Sequence, residues 1–327
     1  MKLCPYRPSS SFNFTYAITI CITIFLMTAT QQNSMTAQAL SADATPKVKV
    51  KPVTSWKDYK KDLIKAGVLE AAANRGIKIR AINLNSNANA NSDGNESESE
   101  EGLIASKIIH FQRHGQGYHN LLGDTVRSFG HGFDIDDPDP AVNPFVKPEI
   151  QDSPLTQKGR EEARAQRPKA AMLKPEVVIV SPLHRAIQTA QISFADHLEN
   201  DIDFIAHEGC REQLGLLTCN KAHPLSSTKA DFPSVDFSLC TFGEEDTLWN
   251  AHPTVRELPV DESDRAYAFL TDFIMERPEK EIAVVCHSAW LFSVCNVVID
   301  CEGDEFLETW FGTGEIRSLK LSYYKNQ

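Results

Sequence analysis

A chain of 327 residues with 42% hydrophobic and 24% charged side chains can bury a sizeable core, as one large domain with appendages or as two domains. Its formal net charge of −11 argues against nucleic acid as the main partner, because a phosphodiester backbone demands a basic face. Small phosphorylated molecules stay open, since a few local arginines govern a cleft whatever the global balance.

In chain order, Lys2 and Arg7 precede an apolar run from Phe14 to Ala29, and Thr36-Ala37-Gln38-Ala39 supplies small residues of the cleavage-site type. This layout predicts a signal peptide over residues 1–39 and hence the secretory pathway, with the mature chain secreted or endomembrane. The run falls short of the about 20 apolar residues that a comfortable span needs. An uncleaved anchor, tethering the chain to a membrane through residues 14–29, is the alternative, with a plastid or mitochondrial route behind it. Cys4 and Cys21 would leave with a signal. An oxidising compartment permits disulfides among the other six cysteines, and Cys210 with Cys219 closes a short loop. Cys286 lies in an apolar strand-like run, which suits a buried free thiol. No Cys-x-x-Cys pair calls for structural zinc.

Residues 40–102 differ in character from the rest of the chain. Ser55 is a cap for a helix from Trp56 to about Asn74, with Asp58 in its first turn and Gly76 beyond its end. Trp56, Tyr59 and Leu63 share one face for packing, while Lys51, Lys57, Lys60, Lys61 and Lys65 read as a solvated basic face. Asn83 to Glu101, rich in Asn, Ser and Glu, has the composition of a disordered linker. It carries a glycosylation acceptor at Asn95-Glu96-Ser97, relevant if the chain is secreted.

The catalytic-type domain is expected over 103–327. A strand at Lys107 to Gln112 leads into Arg113-His114-Gly115, and an irregular stretch extends from Leu121 to Pro154, with a solvated acidic run at Asp134–Asp139. Thr156 caps a helix running from Arg160 to Met172, and Val177–Val180 is a buried strand followed by a helix from Pro182 to His197. Phe204–Ala206 and Glu281–Cys286 are further strands, the latter leading to a helix at Ala289–Val298. Strands alternating with helices predict an α/β fold, three-layer α/β/α, with a mainly parallel central sheet.

Three strand ends then carry matching chemistry: Arg113-His114-Gly115 after the first, Ser181-Pro182-Leu183-His184-Arg185 after the second, and Val285-Cys286-His287-Ser288 after the last. In a doubly wound sheet such edges converge on one crevice. Two arginines and two histidines meeting there make an anion site with a nucleophile inside it. His110 and His119 flank the tripeptide, but the carboxylate spacing of a metal site is missing.

This set resembles the histidine phosphatase superfamily, also called the phosphoglycerate mutase-like family, over roughly Ile108 to Leu321. Arg-His-Gly with Asn120 looks like its first motif, and Ser-Pro-Leu-x-Arg-Ala-x-Gln-Thr-Ala, ending at Ala190, is similar to its second. Leu155-Thr156-x-x-Gly159 resembles the helix start between them, and Val284-Val285-Cys286-His287 the final histidine motif. Glu208-Gly209-Cys210-Arg211-Glu212, Asp236-Phe237-Ser238 and Trp249 look like the plant-type phosphoglycerate mutase-like branch.

Residue chemistry assigns roles within that set. His114, neutral, attacks phosphorus through one ring nitrogen while a hydrogen bond from the other holds the tautomer. Arg113 and Arg185 grip phosphoryl oxygens with planar forks, His287 in protonated form adds charge, and Asn120 donates a neutral hydrogen bond. Ser288 stands where the family often has glycine and is a further substrate contact. The resemblance implies a glutamate proton donor after the third strand, Glu212 or else Glu208, and Arg211 faces the phosphate or the substrate. The expected function is a metal- and cofactor-free phosphatase acting on a small phosphomonoester through a phosphohistidine on His114. Phosphoglycerate mutase-type phosphoryl transfer and a non-catalytic phosphate-binding module are the alternatives.

Overall fold

The computed structural model describes residues 56–85, 101–130 and 132–326. The expected signal or anchor over 1–39, Lys51 and the Asn95 acceptor lie outside the described residues.

Six strands form one sheet. They are β1 (Ile77–Asn83), β2 (Leu103–Arg113), β3 (Val177–Val180), β4 (Asp203–Ala206), β5 (Glu281–Cys286) and β6 (Ile316–Lys325), in the order β1-β6-β2-β5-β3-β4. Only β6 runs against the others; β2, β5, β3 and β4 pair in parallel. Alternation along β3 assigns the two faces. Val177 and Ile179 join Ile109, Phe111, Ile282 and Val284 in one core, while Val178 and Val180 join Ala283 and Val285 in the other.

Helices cover both faces. Those that build the cores or carry the site are, in chain order, α1 (Trp56–Lys65), α2 (Val68–Ala73), α3 (Tyr118–Ser128), α4 (Gln157–Ala170), α5 (His184–Ser193), α6 (Pro259–Ala268) and α7 (Ser288–Ser293). Ala266 of α6 and Trp290 and Leu291 of α7 fill the first core; Ala170 of α4 and Ala186, Ile187 and Ala190 of α5 fill the second. The protein therefore has the three-layer α/β/α architecture with a mainly parallel sheet.

The segment before Leu103 is more integrated than its composition suggests. The sequence predicts one helix to Asn74, but Gly67, at φ 81°, divides it into α1 and α2. Tyr59 lies 5.1 Å from the Phe292 ring and 5.2 Å from Trp310, and Leu63 and Val68 pack on Phe292 and Val297. Lys57 and Lys60 reach Glu305 and Glu308 at 2.8 Å, so the basic face is partly pinned, although exposed pairs of this kind contribute little. Strand β1 then adds to the sheet beside β6, ahead of the expected boundary at 103.

Two further expectations change. The stretch 121–154 is not irregular throughout, because α3 occupies its start and Phe133, Ile135, Phe145 and Val146 build a small core on Leu216 and Leu217. The Cys210–Cys219 disulfide does not form. Cys210 packs in the sheet core and Cys219 beneath the insert, their thiols turned to the His207 carbonyl and to Asn220 Oδ1. Cys286 is a buried free thiol.

Candidate active site

The register of the parallel strands brings their carboxyl ends level: Arg113 pairs with Cys286, Val285 with Val180, and Val180 with Ala206. The ladder then runs one step further. The His114 N–H donates to the Cys286 carbonyl at 3.0 Å, and the Ser181 N–H to the Val285 carbonyl at 3.0 Å. His114, Ser181 and His287 thus stand side by side, the two imidazole centroids 5.1 Å apart. The chain turns away after His114 through a close backbone crossing. A Cβ on Gly115 would run into the Gly159 carbonyl, and one on Gly159 into that of Gln116, so both positions require glycine. Thr156 holds the other side of this crossing, its Oγ1 accepting from the Gly159 N–H at 3.0 Å.

His114 is buried, and its Nδ1 lies 2.6 Å from the Gly115 carbonyl oxygen. A carbonyl only accepts, so Nδ1 carries the proton and Nε2 carries the lone pair. Burial first, then the Arg185 and Arg113 charges, push the His114 pKa well below the ordinary histidine value. The imidazole is therefore neutral with a fixed tautomer. Arg185 Nε donates toward that lone pair at 3.3 Å.

Both arginines are held from behind. Arg185, fully buried in the first turn of α5, donates through Nη1 to the Cys219 carbonyl at 2.6 Å and through Nη2 to Asn220 Oδ1 at 2.9 Å. Part of its fork is thereby committed to the protein, which fixes the plane of the remaining N–H groups. Arg113 donates through Nη1 to the Phe311 carbonyl at 2.6 Å, while its Nε is buried without a partner. His287 Nε2 meets Ser181 Oγ at 2.7 Å and its Nδ1 is likewise unpartnered. Buried polar atoms are normally satisfied, and these two unpartnered ones stand beside His114 at the strand edge.

The expectation of a protonated His287 is not met. Burial foremost, then the charges of Arg185, His114 and His119, push its pKa well below the ordinary value, so it is neutral. A phosphate dianion beside it acts in the opposite direction.

The two glutamates separate clearly. Glu208 accepts from the Thr241 N–H and Oγ1 and from the Phe242 N–H at 2.8–3.2 Å, which ties down the 241–242 loop. Glu212 instead lies across the amino end of α7, accepting from the Ala289 N–H at 3.3 Å and the Trp290 N–H at 3.1 Å, directly after His287. Its charge also acts on Arg113 and Arg185. Arg211 does not face a substrate. It is fully buried in a two-pronged pair with Asp246, 2.9 and 2.5 Å, which fastens the 211–222 loop. Asn120 caps α3 by accepting from the Gly117 N–H at 2.9 Å, leaving Nδ2 as a donor. Ser288 opens α7 beside these groups. His110 is remote from the edge, bonded to Ser318 and Glu281. Ser181, Asn220 and the Cys219 carbonyl are parts of the site that sequence reasoning missed. Ser181 stood inside a recognisable motif; the other two carry no sequence signal.

A family model of the histidine phosphatase superfamily (branch 1) matches residues 149–327, downstream of His114. The chain is similar to phosphoglycerate mutase-like protein 1 of Arabidopsis thaliana, 31% identical over 247 residues that cover 66% of this chain and 81% of that protein. It is also similar to a probable phosphatase of Schizosaccharomyces pombe, 25% identical over 55% of this chain and 74% of that one. A crystal structure of phosphoglycerate mutase from Bacillus anthracis aligns over 66% of this chain and 88% of that chain, with a TM-score of 0.42 and 16% identity.

Proposed function

The chain belongs to the histidine phosphatase superfamily, and from that premise we propose that it hydrolyses a small phosphomonoester through a phosphohistidine on His114, with no metal taking part. The observation that supports this most is the His114 imidazole, neutral and tautomer-locked by the Gly115 carbonyl, with the Nε2 lone pair turned to the Arg185 guanidinium.

In this reading His114 Nε2 forms the bond to phosphorus as the bond to the leaving oxygen breaks, and Glu212 gives that oxygen its proton. Glu212, now a carboxylate, takes a proton from water as the water oxygen attacks the phosphohistidine. The phosphorus–nitrogen bond breaks and inorganic phosphate leaves. Arg113, the uncommitted N–H groups of Arg185, His287 Nδ1 and Asn120 Nδ2 meet the phosphoryl oxygens, which carry the developing charge. Ser288 borders the same oxygens from the start of α7.

Turnover of p-nitrophenyl phosphate by purified wild type and His114→Ala tests the reading. The expected result is hydrolysis by wild type, unchanged by a chelator, and none by the variant. Equal rates from the two proteins would sink it. Release of phosphate to water, rather than to an acceptor alcohol supplied in excess, separates a phosphatase from a mutase.

A further inference from the structure

A third imidazole stands at the site, outside the arginine–histidine set. His119, in the first turn of α3, is buried at 8% exposure with its ring centroid 5.6 Å from that of His114. It also adjoins Arg185, since a Cβ built on Gly117 would meet His119 Nδ1 at 2.7 Å and Arg185 Cδ at 3.5 Å. The ring is fixed on two sides by the insert. Phe145 packs edge-on at 6.3 Å, and Ser153 Oγ lies 3.0 Å from Nδ1.

Ser153 sets which ring nitrogen carries the proton. Its Oγ accepts from the His119 backbone N–H at 3.4 Å, and among the described residues its buried hydroxyl proton meets no acceptor other than Nδ1. Nδ1 is then the acceptor and Nε2 the N–H. Among the described residues no partner takes that Nε2–H. Burial, followed by the charges of Arg185, His114 and Arg113, pushes the His119 pKa well down, so the ring stays neutral.

We propose that His119 is a further phosphate ligand, its Nε2–H donating to a non-bridging oxygen of the group bound at His114. Ser153 is the positioning residue that selects the donor tautomer. This rests on the proposed phosphate site but not on its covalent step. A neutral donor adds a directed hydrogen bond without adding charge beside a nucleophile that must itself stay neutral. Because the ring is held by Ser153 and Phe145, the contact also links the seating of the insert to the grip on phosphate.

The test is equilibrium binding of inorganic phosphate and of orthovanadate, measured by calorimetry on the full domain, which needs no turnover. His119→Phe keeps the packing on Phe145 and removes the donor; affinity is expected to fall about 10–100-fold, the range of a hydrogen bond to a charged group. His119→Gln, which restores an amide donor, is expected to recover most of that loss. Ser153→Ala, which leaves the ring in place but frees the tautomer, is expected to weaken binding about 3–10-fold, and it keeps the test open should His119→Phe fail to fold. Wild-type affinity in both His119→Phe and Ser153→Ala overturns the role of His119 alone. A wild-type protein that binds neither anion overturns this inference and the phosphate-site reading together. Absence of a phosphohistidine, with these affinity losses intact, removes only the covalent step.

Discussion

β2 and the turn after it carry two buried histidines, and they differ in what surrounds them. His110, within the strand, spends both nitrogens on the protein, with Nδ1 2.8 Å from Ser318 Oγ and Nε2 3.0 Å from Glu281. His114, one residue past the strand, gives its Nδ1 proton to its neighbour's carbonyl and accepts from Arg185 Nε at Nε2, at 3.3 Å. Both are pushed down in pKa chiefly by burial. Burial therefore does not distinguish a structural histidine from a reactive one. What distinguishes them is what the second nitrogen meets, the Glu281 carboxylate at His110 and the Arg185 guanidinium at His114, together with unpartnered donors near His114.

The same contrast separates the two glutamates, and breaking it gives the largest expected effect after loss of the nucleophile. Glu212→Gln should lower kcat by about 10²–10⁴ on alkyl phosphates, and by much less on p-nitrophenyl phosphate, whose leaving group needs no acid. Glu208→Gln should lower thermal stability without that dependence on the leaving group. The reverse pattern would move the acid to Glu208. Arg185→Lys should lower kcat/KM by about 10²–10³ even though the charge is kept, because lysine cannot hold the Cys219 carbonyl, Asn220 and a phosphate oxygen in one plane. A variant with near-wild-type kcat/KM would show that a point charge is sufficient.

Smaller effects probe the histidines themselves. His110→Ala should cost about 1–3 kcal/mol of stability by leaving Glu281 and Ser318 without their partner, while kcat stays near wild type. A loss of kcat at full stability would place His110 in the chemistry. The folded pKa of His114 lies below its unfolded value of 6.5, so the reactive neutral form persists below that pH, and the acid limb of kcat/KM should fall beneath it. The linkage has the same sign for both histidines. The unfolded chain binds more protons as pH drops below about 6.5, so stability is complete above that value and declines beneath it. Denaturant midpoints across that window test the sign; midpoints that rise toward acid contradict it.

Much of this was legible in the sequence, because strand ends and glycine turns are local signals. The runs of β2, β3 and β5 and the residues at their ends placed Arg113, His114, Arg185 and His287 at one edge, and the register brings them together. The parts that were not legible depend on partners far along the chain. Arg211 read as a contact to the phosphate or the substrate, but Asp246, 35 residues away, neutralises it. Asn220 behind Arg185 and Ser153 behind His119 are single polar residues in loops, and nothing in their neighbours' spacing points inward. β6 was missed for a related reason. Arg317 and Ser322 interrupt its apolar pattern, and both are buried, the guanidinium capping the carbonyls of Phe306, Leu307, Thr309 and Trp310. β1 lies beside Asn- and Lys-rich sequence, and its pairing with β6 on one side and with Asp300 on the other makes it a strand.

The proposed chemistry turns on His114 carrying the phosphoryl group. Rapid-quench trapping with phosphorus-labelled substrate, followed by alkaline peptide mapping, reads that group on the protein. An acid-labile, alkali-stable label is expected, confined to the peptide containing His114, formed within the first turnover and absent from His114→Ala. Steady hydrolysis by wild type with no labelled enzyme at any quench time, or a label on another residue, would contradict it.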